Sequence, residues 1–188
     1  LVSGGFGSTF RSTNIGNTEI KGYEISLQGR GDIFGLPTFF LAGYTNVDPT
    51  FGEFDTTPVP AGEIHSLGQI NSNNSSSDEN VLKYRSRHLF KFDLETQIKK
   101  FAVGIATLRA SNIEAIDAAF LLIVPNLIKH REENANGYTV FNGRVAYNFS
   151  EKVKLSAILN NISNRMYTLR PGIVEAPRNL TARLDFKF

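Results

Sequence analysis

Residues 178–188 read Arg178-Asn-Leu-Thr-Ala-Arg-Leu-Asp-Phe-Lys-Phe188. One parity carries Arg178, Leu180, Ala182, Leu184, Phe186 and Phe188; the other carries Asn179, Thr181, Arg183, Asp185 and Lys187. Five of the six positions in the first set are apolar, and all five in the second are polar. A period of two is that of a β-strand, here with one greasy and one wet face. Eleven residues at ~3.3 Å each, tilted ~45°, climb about 25 Å, the height of the apolar band of a membrane-spanning barrel. A soluble sandwich would bury that face against a second sheet; a membrane barrel turns it to lipid.

The bulk numbers allow either home. The chain has 188 residues and is 41% apolar, with a mean hydropathy of −0.17. Alternating strands average to near neutrality, so this value does not oppose a barrel. No run of 18 apolar residues offers a spanning helix. With no Cys there is neither a disulfide framework nor thiolate chemistry. A net charge of +2 is too small to argue for nucleic acid. Met166 is the only Met and residue 1 is Leu, and no signal peptide is evident. The expectation is a processed or partial chain with material preceding it.

Working back to the N-terminus, Leu1 to Asn17 is rich in Gly, Ser, Thr and Asn and reads as loop. Its Ser-Gly-Gly-Phe-Gly lacks the Gly-Lys-Ser/Thr that a phosphate cradle needs. Thr18 to Arg30 reads as strand, with Tyr23, Ile25 and Leu27 opposite Glu24, Ser26 and Gln28. A turn is expected over Gly31 to Pro37, then a strand from Leu36 to Asn46 that is apolar on both parities. Val47 to Asn80 reads as a long loop holding Pro49, Pro58 and Pro60 and the low-complexity run Asn71 to Asp78. Strand pattern returns over Val81 to Thr96, where Phe90, Phe92 and Leu94 alternate with Lys91, Asp93 and Glu95. A tight turn at Gln97 to Lys99 leads to a strand over Phe101 to Arg109. Ala110 to Gly137 is the second long connection. Helical spacing of Ile113, Ile116, Phe120 and Ile123 predicts a short helix that packs the loop. Tyr138 to Phe149, the turn Ser150-Glu-Lys152, Val153 to Ile162, a connection over Ser163 to Pro177 and the closing strand complete the chain.

Connections therefore alternate strictly between short and long. Seven strands joined this way form an antiparallel up-and-down meander whose long loops all leave from one rim, as in outer-membrane barrels. Tyr44, Tyr84, Tyr138 and Tyr167 are expected at strand ends beside the long loops, and Phe101, Phe149, Phe186 and Phe188 at the other rim, as two interfacial girdles. A Lys or Arg facing lipid at mid-membrane costs about 2–4 kcal/mol. Lys91, Asp93, Glu95, Arg144 and Arg183 are therefore placed on the lumen face, with the carboxylates in a salt-bridged wall beside Lys91.

Four further stretches carry a family resemblance. They are Asn17-Thr-Glu-Ile-Lys-Gly-Tyr-Glu24, Leu82-Lys-Tyr-Arg-Ser-Arg-His88, Asn160-Asn-Ile-Ser-Asn-Arg-Met-Tyr167, and Pro177-Arg178 leading into the strand that ends at Phe188. In order and spacing they resemble the C-terminal β-barrel portion of a TonB-dependent outer-membrane receptor. Ile113-Glu-Ala-Ile-Asp-Ala-Ala-Phe120 is similar to receptors of Bacteroidetes-type bacteria. The resemblance implies an all-β fold: a transmembrane barrel segment of about seven strands within a 22-stranded barrel. It also implies an N-terminal plug, absent from this sequence, and uptake of a scarce nutrient (siderophore, vitamin or oligosaccharide) driven through the TonB system. The implied partners are outer-membrane lipid, the TonB system through the plug, and the barrel-assembly machinery. That machinery would read Leu184, Phe186 and Phe188 as a C-terminal signal. A surface lipoprotein or other outer-membrane complex subunits are further partners. In the alternative reading, a receptor-like barrel serves as a structural subunit of such a complex and transports nothing.

Little else suggests chemistry. His65, His88 and His130 show no His-x-x-x-His or His-Glu-x-x-His spacing, so no metal site or cofactor is expected. No Gly-x-Ser-x-Gly is present, and no enzyme is expected. Asp55, Glu63, His65, Asn112 and His130 lie in the long loops and are the candidates for contact with a substrate. No nucleic-acid partner is expected.

Overall fold

The computed structural model describes residues 2–3, 8–9, 16–54, 74–169 and 174–188. A two-residue pair, β1 (Val2–Ser3) with β2 (Ser8–Thr9), stands apart. The remaining strands are β3 (Thr18–Ile33), β4 (Leu36–Phe51), β5 (His88–Ile98), β6 (Phe101–Ala110), β7 (Tyr138–Asn148), β8 (Val153–Asn160) and β9 (Asn179–Phe186). They form one seven-stranded sheet in sequence order, β3 to β9, with no crossover. The expected up-and-down meander is present. The only helices among the described residues are α1 (Ala118–Ile123) and α2 (Leu127–Glu133), in the second long connection.

The described chain divides into two compact units. The first is the sheet unit, Tyr23–Asn46, His88–Ser111 and Gly137–Phe188. Its hairpin turns are tighter than the composition suggested. Strand continues to Ile33 and resumes at Leu36, so the turn expected over Gly31 to Pro37 shrinks to Phe34 and Gly35. Both have positive φ, 53° and 76°, the geometry of a two-residue turn whose twist matches its strands. The β5–β6 turn is likewise two residues, with Lys99 at φ 54° and its carbonyl accepting from Gln97 Nε2 at 2.8 Å.

Register separates the two faces. One row of partners runs Phe40, Leu94, Ile105, Gly143, Leu159, Leu180 across six strands. The next row runs Phe39, Glu95, Gly104, Arg144, Ile158, Thr181. A shift of one residue moves a side chain to the other face. Tyr23 extends the apolar face onto β3, its ring 6.0 Å from that of Tyr44. Arg30 lies 5.7 Å over the Phe39 ring and belongs to the polar face. The apolar face stays open: Leu27 is 61% exposed, Ile105 and Val145 43% each, and Leu180 72%.

The second unit gathers Leu1–Gly22, Val47–Arg87 and Asn112–Asn136. β4 continues to Phe51, past the expected end at Asn46. Strand expected from Val81 begins only at His88. The reason is burial: Val81 and Leu82 are buried within this unit, Leu82 donates its N–H to the Pro49 carbonyl at 2.8 Å, and Tyr84 takes a left-handed φ of 64° that ends any extended run. Ile113 pairs with Ser86 in an isolated bridge and Ile116 is buried ahead of α1, so of the four residues with helical spacing only Phe120 and Ile123 lie in the helix.

Candidate functional site

The polar face of the sheet carries the strongest charged cluster. Arg144 on β7 donates Nη1 and Nη2 to the two Asp93 oxygens at 3.0 and 2.6 Å, and Nε to Glu95 Oε2 at 2.6 Å. Asp93 and Glu95 lie two residues apart on β5 and so share a face. Gly104 on β6 stands between Arg144 and Glu95 in the register. With no side chain there, the guanidinium passes over Gly104. A Cβ at Gly104 would sit 2.6 Å from Arg144 Cζ. The fork geometry makes this a charge-assisted, two-pronged pair rather than a loose ion pair. The salt-bridged wall expected from the sequence exists, but its cation is Arg144 and not Lys91. Arg183 on β9 is placed opposite Ser156 on the same face and pairs with Asp185 at 3.1 Å.

The second unit holds two further hubs. Asp117 accepts from Lys83 Nζ, from Tyr84 OH at 2.7 Å and from Asn74 Nδ2 at 3.4 Å. Burial first, and then the hydrogen bond to Asp117, pushes the Tyr84 phenol well above its ordinary range. Arg87 bridges Asp48 and both oxygens of Glu114, the latter at 2.8 and 3.0 Å. Hydrogen bonding to Glu114 is the main reason the Arg87 guanidinium holds its proton more firmly than usual, with burial acting against it. Arg131 on α2 donates to the Glu114 carbonyl at 3.0 Å. Together these bonds tie the segment before β5 to the segment before α1.

Of the loop candidates, Asp55, Glu63 and His65 lie outside the described residues. Asn112 and His130 are described. Asn112 falls just after β6, whereas His130 is on α2, its Nδ1 3.3 Å from Asn134 Nδ2. His88 Nδ1 lies 2.8 Å from Tyr44 OH and 3.1 Å from Asn46 Nδ2, a polar cluster on the sheet rather than a loop site. Among the described residues no group of three or more His, Asp or Glu is arranged to hold a metal ion.

At the short-turn end Phe101 opens β6 and Phe149 follows β7; the Phe101 and Tyr147 rings lie 4.9 Å apart and those of Tyr147 and Phe149 4.8 Å apart. At the other end, Tyr138 opens β7 with its ring 5.0 Å from that of Tyr167. Tyr84 is corrected: it sits in the second unit, bonded to Asp117, and not at a strand end. Tyr44 lies inside β4 rather than at its end. Leu184 and Phe186 lie on β9 and are exposed, and Phe188 is fully exposed beyond it.

Sequence reading named no role for Asn161. Its side chain closes the β8–β9 connection, donating to the Arg165 and Ala176 carbonyls at 2.8 and 3.3 Å and accepting from Arg165 N–H at 2.8 Å. Asn161 and Asn164 have φ of 50° and 51°, a region Asn tolerates better than most residues. Asn164 Oδ1 in turn accepts the Arg178 N–H at 2.9 Å. The Asn-rich stretch from 160 to 167 is therefore a turn-closing device, and its composition was the available signal.

A seven-stranded antiparallel meander with one apolar and one charged face defines the class: the up-and-down sheet from which β-barrels are built. The family model described as TonB dependent receptor-like, beta-barrel matches residues 1–162, and the chain belongs to that family. The match ends at Ile162, so β9 stands outside it. A search of the curated proteins finds no match.

Proposed function

We propose that this chain forms C-terminal strands and outer loops of an outer-membrane receptor that imports a scarce nutrient by energy coupling through TonB. The observation that carries this is the segregation of faces. An apolar row from Phe40 to Leu180, half-buried at Phe40, Leu94 and Leu159 and exposed at Ile105 and Leu180, backs directly onto a row holding Glu95 and Arg144. An open apolar face of this size is favourable only against lipid or another apolar surface. Charges on the opposite face are favourable only against water or polar protein. In this reading the strands span the bacterial outer membrane within a larger barrel, and the short turns face the periplasm. The two long connections of the sequence, 47–80 and 110–137, serve as the external loops that contact substrate. The protein acts as a receptor, not as an enzyme.

Growth on a limiting nutrient tests the reading. Deletion of the gene should abolish uptake of one siderophore, vitamin or oligosaccharide, and removal of the TonB-interacting segment from the full-length protein should do the same. Wild-type uptake after both changes would assign the barrel instead to a structural role in an outer-membrane complex.

A further inference from the structure

A small hollow opens on the polar face beside the Arg144 cluster, with a volume of about 190 Å³. Its lining includes Glu95, Arg144, Lys154, Ser156, Ile158 and Arg183. Ser156 is 4% exposed, yet its hydroxyl has no hydrogen-bond partner. A buried hydroxyl without a partner is destabilising and calls for an explanation. Register explains its facing: Ser156 lies opposite Ala146 on one side and Arg183 on the other, on the polar face.

The cations around it are unequally used. Arg144 commits three of its five N–H donors to Asp93 and Glu95. Arg183 bonds Asp185 through Nε, and an Arg fork carries further N–H donors on its terminal nitrogens. Lys154 makes no ion pair with any described carboxylate. The hollow is also too small for a whole ligand, whose pockets run about 300–1,000 Å³. It fits one functional group.

We infer that Lys154, Ser156 and Arg183 form a subsite for a single carboxylate group on the polar wall of the sheet. The ammonium supplies charge, the terminal guanidinium nitrogens supply directed donors, and the Ser156 hydroxyl gains the partner it lacks. Arg144, held by two carboxylates, fixes one edge of the hollow. The subsite belongs to the polar face whether or not the barrel imports anything. Two sources present this chemistry: a free carboxylic acid in the lumen, and an acidic side chain of polypeptide lying against the wall.

These 188 residues contain no cysteine, so a reporter thiol is unique among them, and any cysteine elsewhere in the full-length protein is first replaced by serine. Ile158→Cys lines the hollow and leaves all three donors in place. In the full-length protein in its native membrane, its labelling by a sulfonate-bearing methanethiosulfonate is compared with labelling by the trimethylammonium analogue. Each rate is normalised to a small free thiol. A preference of about tenfold for the anionic reagent is expected, falling towards one in the Lys154→Gln and Arg183→Gln backgrounds. Slowing by millimolar succinate assigns the subsite to a free acid. If neither reagent reaches the thiol, carbodiimide coupling decides: a zero-length link from Lys154 to a carboxylate other than Asp185 or Glu95 assigns it to a polypeptide side chain. Absence of anion preference at a reactive thiol, or coupling of Lys154 only to Asp185 or Glu95 where the thiol is covered, overturns the inference.

Discussion

The guanidinium of Arg144 occupies the space that a side chain on Gly104 would fill, with the ideal Cβ position 2.6 Å from Cζ and 2.7 Å from Nε. Glycine in a strand interior normally weakens it, and here it marks a close approach. The obstructing atoms belong to the far end of a flexible side chain, so the backbone tolerates a larger residue while the guanidinium must lift away. Gly104→Ala should therefore cost about 1–2 kcal/mol through loss of the Asp93 and Glu95 bonds. The discriminating measurement is a double-mutant cycle with Arg144→Ala. The alanine cost should largely disappear in that background; an additive cost would place the effect in the strand itself.

Asn161 is buried and holds both ends of its loop. Asn161→Ala removes three hydrogen bonds and places alanine at φ 50°, so a loss of about 2–3 kcal/mol is expected. Asn161→Gly relieves the backbone but restores no bond and should recover only part of the loss. Hydrogen exchange at the Arg165 amide reads the change directly. Unchanged protection in the alanine variant would argue that the loop is closed by other contacts.

Tyr84 gives the second unit a pH dependence. Its phenol is raised above 10.0 by burial and then by the hydrogen bond to Asp117. The stabilisation is fully present below the unfolded value near pH ~10. Above it the unfolded chain sheds a proton that the folded chain keeps, so stability falls as pH rises towards the folded value. Tyr84→Phe should flatten part of this alkaline fall in the denaturant midpoint between pH 9 and 11.5, about the accessible window. An unchanged slope would show that other tyrosines account for it.

The two faces should respond oppositely to charge. Val145 lies in the apolar row with Val103 and Ala157, whereas Thr181 lies in the polar row with Ile158. If the strands cross a bilayer, Val145→Lys should cost about 2–4 kcal/mol near the midplane. Thr181→Lys should cost well under 1 kcal/mol, as ordinary surface changes do. Refolding titrations in lipid vesicles compare the two. Equal costs would remove the lipid from the apolar face.

Several features were legible because they are local. A strand alternates its side chains between faces whatever it pairs with, so Leu180, Leu184 and Phe186 could be separated from Thr181, Arg183 and Asp185 by counting alone. Loop composition gave the alternation of short and long connections, and with it the meander. The resemblance around Asn160 to Tyr167 named a family in advance, although the family match itself ends at Ile162.

Register was not legible, because it depends on how each turn closes, and the sequence leaves a turn such as Phe34-Gly35 two residues or seven. Without register, nothing shows that Gly104 stands between Glu95 and Arg144, and the nearby Lys91 looks like the natural partner. Nor does composition distinguish strand from buried loop over residues 81–87: Val81 and Leu82 have strand-like side chains, but burial within the second unit decides their conformation. The sequence by itself determined which residues share a face. The tertiary structure decided which of them meet, because that is set by pairing between strands and by contacts between segments far apart in the chain.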